Sequence, residues 1–143
     1  MAEVAFDVVD LARSLIDIDS TTPNEGRVAS WLASWLRARG YRVEEQPVEG
    51  DRLNLYVTVE ERDPDVVLST HLDCVPPFFP SRVEGDLLYG RGACDAKGIA
   101  AAQVGALEGR LLDGDVTDRR YEAERAALKQ ALVELELDQR LGR

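Results

Sequence analysis

Histidine occurs once in these 143 residues, at His71, and cysteine twice, at Cys74 and Cys94. A zinc centre built from two or three imidazoles therefore cannot be assembled within one copy of the chain. Two cysteines without a CxxC spacing make neither the disulfide framework of a small secreted protein nor a redox motif. Both are expected to be free thiols. Basic residues are outnumbered, 17 Lys and Arg against 27 Asp and Glu, for a net charge of −10. That balance opposes a phosphate backbone, so no nucleic acid partner is expected. No run approaches the roughly 18–20 consecutive apolar residues of a membrane span. The opening MAEVAFDVVD is acidic where a secretory leader is basic. No membrane association is expected, and the expected location is the cytoplasm.

The rest of the composition, 45% apolar and 31% charged, is that of a soluble globular chain of one-domain length. Val8, Leu11, Leu15 and Ile16 recur at helical spacing and predict an amphipathic helix over 4–16. Thr21, Thr22, Pro23, Asn24 and Gly26 then form a breaker. A second helix is predicted over 25–39, with Val28, Trp31, Leu32, Trp35 and Leu36 as its apolar stripe and Gly40 as its stop. Strands are predicted over 41–48, 53–59 and 66–70. The last, built on Val66-Val67-Leu68, is a short continuous apolar run, the pattern of a strand covered on both faces at the centre of a sheet. Residues 74–81 carry Pro76, Pro77 and Pro80 and read as loop. A brief strand at 87–89 and a helix over 99–112 follow. The expected architecture is α/β, an incomplete three-layer sandwich with a mainly parallel central sheet. Residues 1–113 form its body. Residues 114–143 are read as a linker and a C-terminal amphipathic helix over 118–141, rich in Ala, Leu, Glu and Arg. That helix either docks on its own domain or pairs with another helix.

Chemistry concentrates in two short stretches. The first, Ser69-Thr70-His71-Leu72-Asp73, follows the buried-strand candidate. Side chains two apart in extended chain point the same way, so His71 and Asp73 should face one site at the strand's C-terminal end, where open α/β sheets place their ligands. The imidazole offers one ring nitrogen to a metal while a carboxylate orients it. Alternatively it is a hydrogen-bonded structural histidine. The second stretch, Gly90-Arg91-Gly92-Ala93-Cys94-Asp95-Ala96-Lys97-Gly98, is a glycine-rich turn leading into a helix. It can aim the Asp95 carboxylate into a cleft, or Asp95 simply caps the helix. A phosphate-loop reading fails, since no GK[ST] follows and an aspartate in the middle repels phosphate.

Taken together, His-x-Asp-x-Val-Pro and Gly-Arg-Gly-Ala-x-Asp-x-Lys-Gly resemble the zinc-dependent family that contains acetylornithine deacetylase, succinyl-diaminopimelate desuccinylase, aminoacylase and glutamate carboxypeptidase. Ser20-Thr21-Thr22-Pro23-Asn24-Glu25-Gly26 and Leu53-Asn54-Leu55-Tyr56-Val57 extend the resemblance from about residue 4 to residue 112. It implies that His71 is a ligand of one zinc ion and that Asp95 bridges two. Asp73 is then the catalytic-site aspartate that sets the protonation and orientation of the histidine. The reaction implied is hydrolysis of an amide bond in a small N-acyl amino acid or peptide. Arg91 and Lys97 match motif positions and are read as loop-fixing residues.

The same resemblance implies parts that are missing here. The family follows its Asp-x-Lys-Gly helix with an adjacent Glu-Glu pair, one member the general base, and later with a second histidine ligand. Downstream of Lys97 this sequence has Glu108, Glu122, Glu124, Glu134 and Glu136, no two adjacent, and no histidine. The chain therefore reads as the first part of such a catalytic domain, truncated and inactive alone. Two alternatives stand beside this reading. The missing ligands come from another chain, or the chain is a non-enzymatic interaction module that self-associates through its terminal helix or an exposed sheet edge.

Overall fold

A computed structural model describes residues 6–58 and 66–113. Two units divide the chain, 1–106 and 107–143. Everything below concerns the first, apart from the end of one helix. The C-terminal helix expected over 118–141 lies outside the described residues.

Helix α1 spans Val8–Ile16. Asp7 starts it, its Oδ1 accepting from Val9 N at 2.7 Å and Asp10 N at 3.2 Å, which satisfies two of the amides a helix start leaves open. The apolar stripe then turns Leu11, Leu15 and Ile16 into the core, while Val8 and Val9 stay exposed. Helix α2 spans Gly26–Arg37 and buries Val28, Ala29, Leu32, Ala33 and Leu36. Trp31 and Trp35, expected on the same stripe, are only half-buried and stack on each other at 6.4 Å, with the Arg39 guanidinium 3.7 Å above the Trp35 ring.

Two antiparallel hairpins follow. Strand β1 (Arg42–Glu49) pairs with β2 (Arg52–Thr58), and α2 packs on both. Strand β3 (Arg82–Glu84) pairs with β4 (Leu87–Tyr89). Each hairpin turns on the same tetrapeptide, Val-Glu-Gly-Asp, at 48–51 and 83–86. Gly50 and Gly85 lead the two-residue loops with φ of 60° and 56°, a left-handed conformation that other residues rarely adopt and that tight hairpins demand. Helix α3 spans Lys97–Asp113 and contributes Ala100, Ala101 and Val104 to the core.

The α/β character stands, but the parallel centre does not form among the described residues. All four named strands pair antiparallel, and the parallel pairing present is one isolated bridge, Thr21 to Cys74. Residues 66–70, expected as the central strand, pair with no strand, and Val66, Val67 and Leu68 are 52%, 76% and 52% exposed. A parallel strand is buried only when neighbours pair both its edges and helices cover both faces. The described residues supply neither.

Asp19, just past α1, accepts at Oδ1 from Thr21 N and Thr21 Oγ1, both at 2.9 Å. The backbone bond first, and the hydroxyl second, hold its carboxyl below the ordinary value of 3.8. A carboxyl depressed in the folded state stabilises the fold above its unfolded value, and this contribution disappears as the pH falls through the folded value. Thermal unfolding of Asp19→Asn is therefore expected to fall behind wild type above about pH 4 and to converge on it as the pH drops through the depressed value. An equal deficit at every pH would mean that the charge is not what the turn holds.

Candidate metal centre

The stretch from residue 71 to 74 is held against the chain that leaves α1. Cys74 N donates to Ser20 O at 3.0 Å and Thr22 N to Cys74 O at 3.1 Å, while the buried Ser20 hydroxyl donates to Leu72 O at 2.7 Å. Extended backbone at this point turns His71 and Asp73 to one side, as their spacing predicts. His71 Nδ1 lies 3.1 Å from Asp73 Oδ1 and 3.2 Å from Asp73 O. Thr22 Oγ1 donates to Asp73 Oδ2 at 3.0 Å and holds the carboxylate from behind.

The glycine-rich stretch brings the third residue in. His71 Nε2 lies 3.1 Å from Asp95 Oδ1, across 24 residues of sequence. Together with Cys74, Arg91 and Cys94, the three line an open cleft of about 250 Å³. The Asp95–Ala96 peptide is cis. All three site residues predicted from the sequence thus converge on one imidazole.

Burial pushes the His71 ring down. The Asp73 carbonyl, the Asp73 charge, and the Asp95 hydrogen bond and charge together outweigh it, and the ring is held above its ordinary value of 6.5. Both nitrogens face carboxylate oxygens, so the metal-free ring is best satisfied as an imidazolium donating at each end. Were a metal ion held at Nε2, that nitrogen would give up its proton, while the contact with Asp73 would keep the Nδ1 proton and fix the tautomer.

An imidazole nitrogen and a carboxylate oxygen are donor types that a divalent metal ion accepts, and their separation leaves both free to share one. Two ligands about 2.0–2.1 Å from one tetrahedral ion sit roughly 3.3 Å apart, close to the 3.1 Å between Nε2 and Oδ1. The set is a partial one. Among the described residues no group of three or more His, Cys, Asp and Glu is arranged to hold a metal ion.

Arg91 and Lys97, read from the sequence as loop-fixing residues, each bond a carbonyl in a distant part of the chain. Arg91 Nε donates to Pro77 O at 2.9 Å and its guanidinium lies 4.7 Å above the Phe79 ring, so it fastens the glycine-rich stretch to the proline loop. Lys97 is fully buried, and its Nζ donates to Ile18 O at 2.6 Å. Burial pushes this ammonium below the ordinary lysine value, against the pull of Cys74, Asp19 and Asp17. Both cysteines are unpaired, Cys74 buried and Cys94 exposed.

Residues 67–119, which contain the whole cleft-forming motif pair, match peptidase family M20/M25/M40. These residues are a segment of that family's domain. A "Peptidase M20 domain-containing protein" of Schizosaccharomyces pombe is 40% identical over 119 residues, covering 77% of this chain and 30% of the relative. Proteins named "Probable carboxypeptidase" in Emericella nidulans and Aspergillus clavatus are 42% and 35% identical over 106 and 113 residues, covering 67% and 70% of this chain and 25% of each relative. The chain thus spans between a quarter and a third of the length of these curated relatives.

Proposed function

We propose that this chain supplies His71 and Asp95 to the zinc site of an amide-bond hydrolase acting on peptides or small N-acyl amino acids, with Asp73 orienting the imidazole. The observation that carries this reading is the pair of contacts on the one histidine, Asp73 at Nδ1 and Asp95 at Nε2, both at 3.1 Å. Zinc, if held by these donors, would supply a lowered pKa to a bound water and polarisation to the scissile carbonyl. Around it, Thr22 and Asp73 hold the ring, Arg91 holds the loop, and the cleft admits substrate from the open side. The remaining ligands and the general base come from outside the described residues, in this polypeptide or another. In that assembly, residues 66–70 take the place of an inner strand of a parallel sheet, and the site works in the cytoplasm.

A second reading rests on the exposed apolar run at 66–68. It makes the chain an interaction module whose unpaired strand recruits a β-segment, a second copy included, with the metal motif idle.

Hydrolysis of an N-acetyl amino acid and dipeptide panel with added zinc distinguishes them. The chain alone is expected to show nothing above buffer. Mixed with a polypeptide carrying the rest of an M20 catalytic domain, it is expected to cleave, and Asp95→Asn to lose at least the roughly 10–100-fold that removal of an outer-shell partner of a metal ligand costs. Activity of the chain alone would overturn the incompleteness of the site. A complemented mixture that forms a complex yet cleaves no substrate would leave the interaction module standing.

A further inference from the structure

The two halves of the cleft are referred to one stretch of chain, residues 18–22. The first half is tied to it by the Ser20, Thr21 and Thr22 contacts to 72–74. The second half reaches it through Lys97, two residues past Asp95, whose ammonium sits on the Ile18 carbonyl. Ile18 lies two residues past the end of α1, where Leu15 and Ile16 are fully buried. The carbonyl is thus anchored close to the packed end of that helix.

Lys97 is poorly suited to its place on stability grounds. It is the first residue of α3, at the helix end where the macrodipole repels positive charge. It is also fully buried, where an ammonium loses its hydration for hydrogen bonds that a single carbonyl only partly replaces. Its stem leaves no slack. A Cβ at Gly92 would lie 2.9 Å from Lys97 Cδ and 2.9 Å from Cys74 Sγ, so the lysine runs directly beneath the glycine-rich stretch.

We infer that Lys97 is a positioning residue: its bond to Ile18 O sets the Asp95 stretch at the height where the Asp95 carboxylate meets His71 Nε2. The inference rests on the reading of His71 and Asp95 as partners in one site, and its test uses the metal-free chain, so that it stands or falls apart from zinc binding and hydrolysis. Because the chain has one histidine, the ring signals in a carbon–proton NMR spectrum belong to His71 alone.

Asp95→Ala is expected to displace those signals. Lys97→Met, which keeps an apolar stem and removes the ammonium, is expected to displace them in the same direction while melting no lower than wild type. The double variant is expected to show no displacement beyond that of Asp95→Ala. A purely structural lysine would lower the melting temperature and leave the His71 signals in place. The inference is overturned if Lys97→Met gives wild-type His71 signals, or if its effect adds to that of Asp95→Ala. It is also overturned if Asp95→Ala leaves the ring signals unmoved. Should Lys97→Met fail to fold, Lys97→Gln, which retains a donor one bond short of Ile18, is read against the same outcomes.

Discussion

Titrated with zinc, the metal-free chain is expected to gain thermal stability, and His71→Ala is expected to gain none. The chain has one imidazole, its Nδ1 is taken by Asp73, and its Nε2 is the nitrogen presented to Asp95. Removing the ring removes the one nitrogen donor and leaves two carboxylates that repel each other. A ligand that binds only the folded state stabilises it in proportion to the logarithm of its excess over Kd, about 2.7 kcal/mol at a hundredfold excess. In a chain of this size that amounts to a melting shift on the order of 10 °C. Asp73→Asn is expected to fall between, with zinc affinity down by about 10–100-fold, because the ring keeps Nε2 but loses the carboxylate that orients it. Since the ligating imidazole must be neutral, the zinc effect is expected to be larger at mildly alkaline than at mildly acidic pH. An equal shift in wild type and His71→Ala would place the metal elsewhere. No shift in wild type would remove this donor pair as a site in the isolated chain.

Gly98→Ala is expected to destabilise the fold on the order of 3 kcal/mol, at the upper end of what overpacking costs. A Cβ at this position would lie 2.0 Å from Ala93 O. The clash is with a backbone atom, so no side-chain rotation relieves it, and the 92–98 turn has to open. The bond from Gly98 N to Gly92 O, 3.1 Å, goes with it. Asp95 is carried in the middle of that turn, so the zinc-induced melting shift is expected to shrink as well. Chemical denaturation and the zinc titration together check this. A variant within about 0.5 kcal/mol of wild type, the range of an ordinary surface change, would show that the turn is not closed as described.

Some of this was legible from local pattern. The stripes on α1 and α2 predict both helices because burial of one face repeats every 3.6 residues. The predicted ends at 4–16 and 25–39 compare with Val8–Ile16 and Gly26–Arg37. The spacing of His71 and Asp73 predicts their shared side, and the contact at 3.1 Å bears it out. Strand β3 was missed, although its signal is present, since Gly85-Asp86 repeats the turn that Gly50-Asp51 makes between β1 and β2. Residues 66–70 went the other way. Their apolar run has the pattern of a covered strand, yet Val67 is 76% exposed, because partners supplied from elsewhere decide whether a strand is buried.

The sequence by itself determined helices α1, α2 and α3 and the residue types of the motif pair, all of which depend on neighbours a few positions away. Only the tertiary structure decided that Asp95 meets His71 Nε2 across 24 residues, and that Thr22 braces Asp73. It likewise decided that Lys97 lies buried on the Ile18 carbonyl. The physical reason is range. A side chain's periodicity is set by its own backbone, whereas a hydrogen bond between distant segments exists only after packing has brought their backbones to within a few ångströms, and a buried ammonium is tolerated only once that bond is there to meet it.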